Sequence, residues 1–135
     1  MSSRIEPRAI ARCLAPFPQV VAAWLFGSAQ DGVVRPGSDL DIALLFASVP
    51  DLPLLADLRT ALQQGLAIEE IDLAVLNQAG PVLAFEALRG VLVLCRDQDV
   101  VADFASLTAR SWEDEMAFLE HGLRLRRILH RSPAS

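Results

Sequence analysis

Two apolar runs close together constrain this chain more than anything else in it. Val20–Phe26 reads VVAAWLF, and Asp39–Phe46, DLDIALLF, begins with alternation and becomes wholly apolar. Runs of this kind are strands of a sheet buried on both faces. Between them stands Gly27-Ser28, a glycine break, followed by Gly32, Pro36 and Gly37, so a short turn of helix and a loop connect the strands.

The remaining pattern supplies the covering layers. Residues 4–14 carry Ile5, Ile10 and Leu14 at helical spacing before Pro16 and Pro18 end the helix. Residues 50–65 predict a second helix, with Leu54, Leu55, Leu58 and Leu62 on one side and Asp51 near its start. Residues 68–76 (IEEIDLAVL) read as a third strand, and 77–80 as a turn. A helix then begins at Pro81 and ends at Gly90, placed as a C-terminal glycine. Residues 91–95 (VLVLC) are a fourth strand. One long helix over 100–130 completes the chain, with Phe104, Leu107 or Thr108, Trp112, Met116, Leu119, Leu123 and Ile128 in a stripe. This order is an α/β (α+β) chain: a small mixed sheet flanked by helices, with a long C-terminal helix. At 135 residues it is expected to be one domain over 1–131, with 132–135 as a disordered tail.

Composition excludes several functions. Hydrophobic residues make up 53% and mean hydropathy is +0.36, which implies apolar surface awaiting a partner, in a homo- or hetero-oligomer. Charged or polar residues interrupt every apolar run before it reaches the length of a membrane span, and the N-terminus does not read as a signal peptide. A net charge of −5 argues against strong nucleic-acid binding. All the basic residues are arginine, so a Walker-type lysine and Schiff-base chemistry are absent; with no tyrosine, the chain cannot modify itself on one. Cys13 and Cys95 read as buried thiols in a reducing compartment, consistent with a cytoplasmic protein, and no zinc site is expected. Trp24 is expected in the core, and Trp112 more in the core than at an interface. His121 and His130 read as surface residues, and Arg124, Arg126, Arg127 and Arg131 as a solvated helix end.

The chemistry concentrates at Gly27-Ser28 and Asp39-Leu40-Asp41. A glycine turn opening a helix holds phosphate oxygens on backbone N–H groups. Carboxylates two residues apart on a strand point to one face and share divalent cations. Without a cation, charges about 5 Å apart repel by about 3 kcal/mol at an effective dielectric near 20. Asp72, between Ile71 and Leu73 in another strand, is a third carboxylate. Three such aspartates suit two Mg²⁺ ions that clamp nucleotide phosphates and lower the pKa of an attacking hydroxyl. Plainer readings stand beside this one: a capped strand-to-helix turn for Gly27-Ser28, a turn cap for Asp39, and a solvent-facing position for Asp72 beside Glu69 and Glu70. Asp41, enclosed by Leu40 and Ile42, has no comparable plain reading.

The segment LFGSAQDGVVRPGSDLDIALLF, followed by IDLAVLN and GVLVLC, resembles the minimal nucleotidyltransferases of the polymerase-β-like superfamily. Many of these small prokaryotic proteins are the antitoxin half of a toxin–antitoxin pair. The resemblance implies that Gly27 and Ser28 hold the triphosphate, that Asp39 and Asp41 ligate Mg²⁺, and that Asp72 is the third metal-side carboxylate near the acceptor hydroxyl. Ser38 is grouped with Gly27 and Ser28 as nucleotide-binding. It further implies transfer of AMP from ATP to a tyrosine of a helical HEPT-type toxin. Many relatives carry a basic residue in the loop after Gly-Ser; here the loop reads Ala29-Gln30-Asp31-Gly32, and Arg35 is what remains to return positive charge to the site. Two rival expectations are a non-catalytic antitoxin that works by binding, and a transferase acting on a small antibiotic-type molecule.

Overall fold

The computed structural model describes residues 3–130, with side chains through Arg124. The expected disordered tail, Arg131, and the side chains of Arg126, Arg127, Ile128 and His130 lie outside the described residues. The elements are β1 (Ser3–Arg4), α1 (Pro7–Leu14), β2 (Val20–Phe26), β3 (Val33–Val34), β4 (Leu40–Phe46), α2 (Leu52–Leu66), β5 (Ile71–Val75), α3 (Pro81–Leu88), β6 (Val91–Cys95) and α4 (Gln98–His130). Single 3₁₀ turns occupy Gly27–Ala29 and Leu76–Gln78.

The main sheet has the order β5-β4-β2-β6. β4 and β5 are parallel, while β2 is antiparallel to both β4 and β6, so the sheet is mixed. Each face has its own helical cover. Ile10 and Leu14 of α1 and Leu58 and Leu62 of α2 pack on Leu25, Leu40, Ile42, Leu44 and Phe46. On the other face Ala84 and Ala87 of α3, with Val101 and Phe104 of α4, cover Ala22, Trp24, Ala43 and Leu45. Burying a Leu or Ile side chain contributes about 1.5–3 kcal/mol, so these two layers hold the strands between them. Trp24 lies in the core, as the sequence predicts.

Several boundaries differ from the sequence reading for local reasons. The first helix starts at Pro7, where a missing N–H costs nothing, because Glu6 is extended. Ser3–Arg4 instead pair antiparallel with Val33–Val34. α2 begins after Asp51, whose carboxylate accepts from the Leu54 N–H at 2.9 Å, and runs past Gly65 to a left-handed Ala67 with φ 54°. Gly65 is an internal helical residue set against the Cys13 thiol. Gly90 likewise does not need a left-handed backbone; a side chain there would strike the Leu25 carbonyl and Phe26, so the glycine lets α3 close onto β2. The third strand is shortened to Ile71–Val75. Cys13 and Cys95 are half-buried rather than buried, and neither is in a disulfide. Burial pushes the Cys13 thiol up, partly offset by Arg12.

α4 is about 50 Å long at 1.5 Å per residue over its 33 residues. Its first half is packed: Thr108 is buried, and Trp112 stacks on Phe85 with ring centroids 4.3 Å apart. Trp112 therefore faces its own domain. Beyond Met116 the stripe residues Leu119 and Leu123 are exposed, as is Phe118 next to them. His121 is exposed, as expected. No helix among the described residues is long and apolar enough to cross a membrane.

Candidate functional site

The residues singled out in the sequence meet at one end of the sheet. β2 ends there at Phe26, β4 starts there at Leu40, and β5 starts there at Ile71. Phe26 pairs with Asp41, and Asp41 is in parallel register with Asp72. Because side chains alternate along a strand, Asp41 shares a face with Ala43 and Leu45, and Asp72 with Ala74. Those partners pack toward α3 and α4, so both carboxylates stand on that face, past the end of the helical cover.

Gly27 joins the turn after β2 to the acids. It adopts φ 75°, and a β-carbon there would run into the Asp41 carboxyl group. The Asp41 side chain thus rests directly over the bend. Gly27–Ala29 form one 3₁₀ turn closed by the Gln30 N–H donating to the Gly27 carbonyl at 3.2 Å. The first N–H groups of such a turn have no acceptor within it. The loop that follows is pinned, not free: the Ile5 N–H donates to the Gly32 carbonyl at 2.6 Å, and Ala29 and Val34 are buried. Ser28 is exposed, and Ser38 is half-buried with its N–H on the Arg35 carbonyl at 3.0 Å.

Asp41 is half-buried, whereas Asp39 and Asp72 are exposed. Burial, then Asp72, then Asp39 raise the Asp41 carboxyl above its usual range, so Asp41 lies within electrostatic reach of both other acids. The ion pairs among the described residues are Arg35–Asp31 and Arg124–Glu120, and neither involves these three acids. A concentration of carboxylate charge with no arginine ion-paired to it suits a hard divalent cation bound through oxygen. The three oxygen donors are not gathered into a closed chelate: among the described residues no group of three His, Cys, Asp or Glu side chains stands ready to hold a metal. Asp41 and Asp72 are in register, and Asp39 is exposed just before the first residue of β4.

Sequence reasoning missed the residues that hold this edge in place. Arg59 of α2 donates to the carbonyl of Ile71, immediately before Asp72. Gln30 donates to the Arg89 carbonyl at 3.4 Å, tying the turn to the end of α3. Arg35, the one cation expected to return to the turn, does so: it donates to the Ser28 carbonyl at 3.3 Å and pairs with Asp31 at 2.8 Å. Arg59 and Gln30 carry no pattern readable before the fold is known.

The family model of polymerase beta, nucleotidyltransferase, matches residues 8–99. No curated protein matches. Among solved structures, the chain is similar to a toxin–antitoxin with AMP-PNP, at 26% identity and TM-score 0.72, covering 93% of this chain and 99% of that one. It is also similar to a mutant of the toxin–antitoxin MntA-HpeT, at 24% identity and TM-score 0.74, with the same two coverages of 93% and 99%. A third is the tri-AMPylated Shewanella oneidensis HEPN toxin in complex with MNT antitoxin, at 24% identity and TM-score 0.67, covering 91% and 95%.

Proposed function

Since the chain belongs to the polymerase beta nucleotidyltransferase family, we propose that it transfers AMP from ATP to a tyrosine hydroxyl of a HEPT-type toxin and acts as that toxin's antitoxin. The observation that carries this reading is the seating of Asp41 over the Gly27 bend, in register with Asp72. A phosphate-holding turn and an acidic pair are thereby one site. Similar structures that hold AMP-PNP and an AMPylated toxin support the choice of nucleotide and acceptor.

In this reading the N–H groups of the 27–29 turn and the Ser28 hydroxyl bind the outer phosphates, with Ser38 at the edge of the nucleotide site. That fixes the α-phosphorus for in-line attack and leaves pyrophosphate as the leaving group. Asp39, Asp41 and Asp72 would hold Mg²⁺, which when bound supplies positive charge to the phosphates and acidity to the acceptor hydroxyl. Asp72, the exposed member of the pair, is the carboxylate that would orient the acceptor hydroxyl. The partner brings that hydroxyl itself and docks on the stretch of α4 where Phe118, Leu119 and Leu123 are exposed. The reaction belongs in the cytoplasm, where ATP is available.

The test is to incubate the chain with its helical partner, ATP and Mg²⁺, and weigh the partner by intact mass spectrometry. The account predicts a gain of one or more AMP units that Asp41→Ala abolishes. An unchanged mass in a stable complex would replace it with neutralisation by binding alone. Transfer to an aminoglycoside without any protein partner would replace it with a small-molecule transferase.

A further inference from the structure

A triphosphate brought beside three aspartates gains from a protein cation in addition to Mg²⁺, and this chain has no lysine to offer. Within residues 27–38 Arg35 is the sole basic residue. Its guanidinium lies across the phosphate turn, one nitrogen donating to the carbonyls of Ser28 at 3.3 Å and Val33 at 3.4 Å. The second nitrogen is held by Asp31 Oδ2 at 2.8 Å. Asp31 is itself fixed, because its Oδ1 accepts the Val33 N–H at 3.0 Å. A carboxylate therefore occupies the guanidinium that a phosphate beside Gly27-Ser28 would take.

We propose that Asp31 is an internal stand-in for nucleotide phosphate: it parks Arg35 over the turn in the empty site and yields it when a nucleoside triphosphate binds. The idea rests on the nucleotidyltransferase reading and names how that site sets its affinity. Both side chains are 52% exposed, and a pair this exposed contributes little and opens readily. A bidentate guanidinium–phosphate contact is the stronger alternative. Arg35 is then a substrate-binding residue, and Asp31 a positioning residue that acts through it. Arg89, at the same edge, is engaged over the Phe85 ring at 5.9 Å and does not fill this role.

The signs of two substitutions separate a competing carboxylate from a merely structural one. AMP-PNP binding with Mg²⁺ is measured by calorimetry for the intact chain, Asp31→Asn, Arg35→Ala, Arg35→Lys and the Asp31→Asn/Arg35→Ala double variant. Thermal melts verify that each is folded. Asp31→Asn is expected to tighten binding about three-fold, the worth of an exposed pair, and Arg35→Ala to weaken it about ten-fold or more. Arg35→Lys recovers part of the loss, and Asp31→Asn has no effect once Arg35 is gone. Weaker or unaltered binding in Asp31→Asn, while Asp41→Ala still abolishes binding, overturns the stand-in and leaves the site intact. No nucleotide binding by the intact chain overturns both readings together.

Discussion

Asp41 bears the largest physical burden of any residue in the site. Its folded pKa is raised by burial and by Asp72 and Asp39, so the folded protein holds that proton more tightly than the unfolded chain does. Stability therefore falls as pH rises from the unfolded pKa through the folded one, and the cost persists at neutral pH. Asp41→Asn is expected to raise Tm at pH 7 in the absence of Mg²⁺, with the gain vanishing below about pH 4. The same variant loses nucleotide transfer; an equal Tm across the whole pH range would contradict the assignment of strain to this carboxyl. Asp31 has the opposite sign: the Arg35 side chain first, and then the Val33 N–H, lower its pKa. Its contribution is present above the unfolded value and is lost as pH falls through the folded one. At Gly27, Ala must adopt the left-handed region at a cost of about 1–2 kcal/mol and also displace Asp41. Gly27→Ala should thus lower Tm and AMP transfer together, and a fully active Gly27→Ala variant would separate the turn from the chemistry.

At the scale of elements, what could be read in advance was what periodicity and charge carry. The apolar runs gave β2 and β4, and the break at Gly27-Ser28 gave the helical turn. Asp41 and Asp72 could be suspected because a carboxylate inside an apolar strand needs a reason. What escaped was bonding between distant segments. Arg96 donates to the carbonyls of Phe17 and Val20, both at 2.7 Å, Ala15 at 3.1 Å and Leu14 at 3.3 Å. It thereby caps α1 from the end of β6, yet in sequence it is one more arginine. Asn77 accepts the Phe46 N–H at 2.9 Å and donates to the Phe46 carbonyl at 2.8 Å, completing β4 as a strand would. In sequence it reads only as a turn residue. Arg96→Ala is expected to cost about 2 kcal/mol, since one charged donor serves several carbonyls, with Arg96→Lys recovering only part. Asn77→Asp removes the donor facing Phe46 and should cost about 1–3 kcal/mol. Urea titration reads both, and a change below about 0.5 kcal/mol for either would show that solvent replaces the bond.

For the molecule as a whole, the unequal lengths of α3 and α4 leave part of α4 open to the proposed partner. The eight residues of α3 end at Leu88, whereas α4 continues to His130 with Phe118 exposed at 73% and Leu123 at 52%. Phe118→Asp and Leu119→Asp should weaken capture of the helical partner at least ten-fold with little change in the Tm of the isolated chain, because both side chains are exposed. Unchanged affinity in both would move the docking face elsewhere. Docking is secondary to whether the glycine bend and the acids of β4 and β5 form one nucleotide–metal site. Crystals of the chain grown with AMP-PNP and Mn²⁺ test it most directly, through the anomalous signal of manganese. The account predicts manganese bonded to carboxylate oxygens of Asp41 and Asp72, with the outer phosphates on the N–H groups of Gly27 and Ser28. Manganese and nucleotide bound away from that corner, or phosphates bound there with neither carboxylate on the metal, would contradict it.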